Sequence, residues 1–163
     1  MRYDLLSTNY KFERTYLGGH AYTRGLQLQP HMTTFDDGRN VNLCPYAGEC
    51  VVLCLQHSGR NVFMNAERAR LMRTWLYADN LKAFTDLLTS DITKMYIEHG
   101  TYAWVRLNTL SDVMWERRLG PDWFKKWEGK IGGFYDYTKL PYRHRYDMPD
   151  NYHLTYSRSE NAC

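Results

Sequence analysis

The sequence predicts an α/β domain with about four parallel strands, arranged as a partial (β/α) barrel or a small open sheet. Three observations carry that expectation. Apolar or alternating segments of strand length recur along the chain, and capped segments of helical length lie between most of them. Helices between successive strands imply parallel neighbours, because a parallel pair needs a crossover connection. The chain has 163 residues, which suits one core and so one domain over 1–163.

The elements follow in order. Residues 1–24 are polar and tyrosine-rich, with Gly18-Gly19 as a break, and are expected as an irregular arm with room for a short strand. Residues 25–29 alternate apolar and polar, and Pro30 stops this first strand. The Asp36-Asp37-Gly38 turn then delivers the chain to Cys44. Residues 49–57 are expected as a short helix stopped at Gly59. Asn65 caps a helix over 66–77, with Ala69, Leu71, Met72 and Leu76 as its apolar face. Asp79 or Asn80 starts another helix that runs through Leu88, and Ser90 or Asp91 caps a third over 92–99.

Residues 102–108 are the second strand, apolar enough to be buried. Ser111 is expected to cap a short helix over 112–119, and Pro121 to open one over 122–128. Residues 134–138 are the third strand and 152–157 the fourth. The intervening basic, proline-bounded loop, with Tyr142-Arg143-His144-Arg145-Tyr146, is expected to be solvated. Ligands of parallel sheets gather at the carboxyl ends of the strands, so the site is expected there.

Composition limits the function. The hydrophobic fraction is 44% and the charged fraction 24%, which suits a folded domain and not a disordered one. The aromatic fraction, 15%, predicts a ring-lined core and cleft. The net charge is +3, from 21 basic and 18 acidic residues, too weak for a nucleic-acid footprint, so no nucleic-acid partner is expected. No apolar run of about 18 residues exists, and no apolar segment follows Met1-Arg2-Tyr3-Asp4. No membrane association is therefore expected, and a reducing cytoplasm is. In that compartment clustered cysteines point to metal ligation more than to disulfides.

The chemistry-bearing feature is Cys44-x5-Cys50-x3-Cys54. On the expected helix Cys50 and Cys54 share a face, with Cys44 approaching from the loop before it. Three thiolates from one segment suit a [4Fe–4S] cluster, whose ligands come in closely spaced runs. Structural zinc usually needs a fourth ligand from a second pair, which is missing here. Zinc and three unrelated buried thiols remain the alternatives. Cys163 is either the fourth ligand or a free thiol. His31 and His57 are the nearest histidines. Around the cluster, Arg106, Asn108, Lys139, Ser157 and Glu160 follow predicted strands and are the candidates to bind a polar molecule or to hydrogen-bond the cluster. Arg106 is the first of them, because a charge ending a buried strand needs a partner.

Four ordered segments resemble a bacteriophage gene-product family. They are Cys44-Pro45-Tyr46-Ala47-Gly48-Glu49-Cys50 with Cys54, Val105-Arg106-Leu107-Asn108 with Ser111-Asp112, residues 135–139, and residues 153–160. More distantly, the layout is similar to radical SAM enzymes, which place three cysteines after the first strand of a partial barrel. That resemblance implies S-adenosylmethionine on an open cluster iron. The spacing here departs from their usual C-x3-C-x2-C, and no glycine-rich segment follows the second strand. The expected function is a small phage-type iron–sulfur protein in the infected cell, in electron transfer, redox sensing or cluster supply with a redox or host partner; a minimal radical-SAM-like enzyme and a zinc-stabilised binding module are the alternatives.

Overall fold

In the computed structural model, which describes residues 4–143 and 147–157, a five-stranded sheet organises the chain. Its strands are β1 (Leu6–Ser7), β2 (Tyr22–Leu26), β5 (Ala103–Arg106), β6 (Gly133–Thr138) and β7 (Tyr152–Tyr156), side by side in that order. The last four are mutually parallel, as the strand–helix alternation predicts, and β1 adds an antiparallel edge. The sheet is open and does not close into a barrel. A separate hairpin, β3 (Met32–Thr34) and β4 (Asn40–Asn42), sits between β2 and the cysteines.

The residues expected as an irregular arm are mostly ordered. They form β1, helix α1 (Tyr10–Leu17), whose N-cap Asn9 accepts hydrogen bonds from the amides of Lys11 and Phe12, and the start of β2, which runs over Tyr22–Leu26 and not over the expected 25–29. The ring of Phe12 lies against Gly25, where an added Cβ would come within 2.9 Å of it and within 2.5 Å of Thr109 Oγ1. Glycine thus lets α1 and the loop after β5 close on β2.

Helices α2 (Met64–Asp79) and α3 (Leu81–His99) follow, meeting at Asn80, whose side chain accepts from Ala83 N. The expected break between residues 88 and 92 is absent. Phe84, Leu88, Ile92 and Met95 form one continuous buried stripe, so packing carries the helix through Ser90 and Asp91. On α2 the buried face is not the expected one. Arg70, Arg73, Thr74 and Tyr77 are buried, while Leu71, Met72 and Trp75 are exposed. Hydrogen bonds decide that orientation: Thr74 Oγ1 accepts from Gln29 N, and Arg70 donates to Gln29 Oε1 and to the Asn61 carbonyl.

Short helices α4 (Trp115–Leu119) and α5 (Pro121–Lys125) join β5 to β6. Helix α4 starts three residues later than the sequence predicts, because Ser111 and Asp112 are drawn into tertiary bonds. Alternation along the sheet puts Ala103, Val105, Phe134 and Asp136 on the buried side. Trp104, Tyr135 and His153 lie on the other, in mutual ring contact through Trp104.

The edge strand hangs on one carboxylate. Buried Asp91 Oδ2 accepts from Leu5 N (2.7 Å) and Leu6 N (3.1 Å). Asp91→Ala leaves two amides without partners and should cost about 1–3 kcal/mol. Urea unfolding should register the loss, and hydrogen exchange should localise it to the Leu5 and Leu6 amides.

Candidate functional site

Cys44 leaves the β3–β4 hairpin with its amide donating to Asn42 Oδ1 (2.9 Å). The segment after it is not the expected helix. It is a chain of 3-10 turns, Gly48–Val51, Leu55–His57 and Gly59–Val62. Gly48 and Gly59, at φ 53° and 58°, break it at either end. Between them Val51, Val52 and Leu53 face solvent, so no apolar stripe exists to reward a helix. Cys50 and Cys54 therefore do not share a helical face; tertiary folding brings them together instead.

All three cysteines line one cavity of about 290 Å3 at the carboxyl ends of β5, β6 and β7. Ala47, Leu55 and Leu110 supply apolar wall, and Arg106, Thr109 and Tyr137 supply a polar and aromatic one. The Cys44 thiol donates to the Leu110 carbonyl (3.3 Å). Burial pushes the Cys44 thiol up to about 11, with the charges of Asp112 and Cys54 adding to it. Burial and the neighbouring Cys50 raise Cys54 as well. A nucleophilic cysteine needs the shift opposite to that of Cys44 and Cys54.

Four polar atoms on the same cavity are buried without a hydrogen-bond partner: His31 Nδ1 and Nε2, Arg106 Nε and Thr109 Oγ1. Buried polar atoms are nearly always partnered, so four orphans on residues that line one cavity make it the candidate site. Burial lowers the pKa of His31, as does the charge of His57. His57 itself is not on the wall. Among the described residues, no three His, Cys, Asp or Glu side chains are grouped closely enough to hold a metal ion.

Residues 5–162 match the family described as Gene product 88. The chain belongs to this phage-type family. No curated protein and no solved structure matches the chain. Of the candidate residues in this family member, Arg106, Asn108, Lys139 and Ser157 all line the cavity with the three cysteines. Cys163 and Glu160 lie outside the described residues. No helix among the described residues is long and apolar enough to cross a membrane.

The candidates differ in what they offer. The Asn108 amide is consumed inside the protein. Its Oδ1 accepts from Ser111 Oγ, Val113 N and Trp115 Nε1, and its Nδ2 donates to the Val113 carbonyl and to Asp136 Oδ2. Ser111 is thus a partner of Asn108 and not a helix cap. Asp112, expected to open the helix after Ser111, instead accepts from Lys139 N (2.8 Å) and from Arg143 (3.0 Å).

Arg143, expected in a solvated loop, is 0% exposed. It donates to both oxygens of Glu116 (3.0 and 2.6 Å), to Asp112 and to the Tyr152 hydroxyl. Burial works against its charge, but the Glu116 and Asp112 carboxylates hold it protonated. Sequence reasoning missed this network; its only signal was an arginine flanked by aromatic residues in a proline-bounded loop.

Asp136 sits at the network's base, accepting from Asn108 N (2.6 Å) and from Tyr152 Oη (2.6 Å). Burial pushes its carboxyl up to about 7, against those hydrogen bonds. A raised folded value means that the folded state keeps a proton that the unfolded chain has lost. The resulting stability is full below about pH 4 and fades as pH rises towards 7. Comparing urea unfolding of wild type and Asp136→Asn at pH 5 and pH 7.5 isolates this group. The wild type should lose stability relative to the variant as pH rises across that window.

Proposed function

We propose that this family member is a small iron–sulfur protein in which Cys44, Cys50 and Cys54 hold a [4Fe–4S] cluster. The observation that supports it is the meeting of three thiols and four orphaned polar atoms on a single cavity. A lone ion needs its ligands to converge on one point about 2 Å away. In a cubane each thiolate binds a different iron, so the ligands stand around a volume instead. His31 then supplies hydrogen bonding that tunes a cluster's potential.

A bound cluster supplies a one-electron couple, and the role proposed is electron transfer, redox sensing or cluster supply in the infected bacterial cell, with a redox or host partner. Cys163 is proposed as the fourth ligand. The second proposal is a minimal radical-SAM-like enzyme. It is favoured by the finding that only three cysteines line the cavity among the described residues, at the carboxyl ends of parallel strands. In that case S-adenosylmethionine takes the fourth iron, and 5′-deoxyadenosine should form on reduction; its absence discards this second reading.

Anaerobic purification with absorption spectroscopy and iron and zinc analysis tests the first. A brown protein with about four irons per chain is expected. The Cys44→Ala, Cys50→Ala double variant should be colourless and iron-free. If the variant keeps its iron, or the wild type is colourless and carries one zinc, the cluster assignment fails.

A further inference from the structure

We propose that the cavity also binds a small organic carboxylate, seated on Arg106. The inference deepens the iron–sulfur reading and rests on it only for taking this cavity as the working site.

Arg106 ends β5 with its guanidinium 5.0 Å from the centroid of the Tyr137 ring. Its Nε is buried without a partner, and no carboxylate among the described residues forms an ion pair with it. The neighbouring Thr109 hydroxyl is in the same state. A guanidinium in such a place is strongly favoured by an anion that takes its donors.

Charge counting selects the anion. The other cations are already engaged: Arg143 by Glu116 and Asp112, and Lys139 by interactions of its own. Asp112 lines the cavity and adds negative charge, as do metal-bound thiolates. One positive charge balances a monoanion, whereas a phosphate dianion would meet a surplus of negative charge. The planar fork of arginine matches a carboxylate edge to edge. Leu55, Leu110 and Tyr137 then suit an apolar body behind that carboxylate.

Calorimetric titration of the anaerobically purified protein with phenylacetate, and separately with inorganic phosphate, tests this, with iron measured on the same samples. Phenylacetate should bind once per chain and phosphate should not. Arg106→Gln should weaken phenylacetate about tenfold or more at unchanged iron content, and Arg106→Lys should recover part of the loss. Thr109→Val provides a second variant and should weaken binding by a smaller factor. Three results overturn the site: no phenylacetate binding to the wild type, equal binding by Arg106→Gln, or tighter binding of phosphate. A shift of the cluster's midpoint potential in Arg106→Gln, with no phenylacetate binding to the wild type, assigns Arg106 to the cluster alone and also overturns it. Iron-free wild type that binds phenylacetate through Arg106 discards the cluster and keeps the carboxylate site.

Discussion

The wall of the cavity depends on the side chain of Asn108. One amide group bridges Ser111, Val113, Trp115 and Asp136, and every one of those bonds is buried. Each buried partner left unsatisfied would cost about 1–3 kcal/mol, so the loop after β5 has one arrangement and little freedom to leave it. That loop carries the Leu110 carbonyl to the Cys44 thiol and the Asp112 carboxylate to Lys139 and Arg143. The thiol wall and the strand-end wall are therefore joined through a single amide.

Below this lies an unusual balance of buried charge. Asp112, Glu116 and Asp136 are carboxylates, and Arg143 is the cation that pairs with the first two. Arg143 comes from the connection between β6 and β7, which carries no α-helix among its described residues. A helical crossover is held by an apolar stripe, and this one is held by an ion pair. Removing either partner of a buried pair strands the other, which makes its geometry strict even where its net contribution to stability is small. Asp136, one hydroxyl away through Tyr152, is left without a cation of its own and keeps its proton to near neutrality.

The cysteine segment follows the opposite rule. It has no regular helix and no apolar stripe, and Val52 and Leu53 are 77% and 83% exposed. Its position comes from the hairpin before it, from the Asp112 amide donating to the Leu43 carbonyl, and from α2 after it. Loops of this kind, set on a rigid scaffold, are where binding residues concentrate. The rigid part here is the strand-end wall, and the thiols are brought to it.

Much was legible in the sequence because it depends on local pattern. The four parallel strands, their order in the chain and the helical content between them follow from periodicity and punctuation, and Val105 and Phe134 are buried as alternation requires. The placement of Cys44, Arg106, Lys139 and Ser157 on one cavity also follows, because parallel strands deliver their carboxyl ends to one edge. What only the tertiary structure decided concerns polar groups whose partners are distant in the chain. The face of α2 was set by Gln29, the start of α4 by Lys139, and the burial of Arg143 by Glu116, 27 residues away. Hydrophobic burial is non-directional and leaves a periodic trace in the sequence. A buried hydrogen bond needs one particular atom at one particular place, and no local pattern records which.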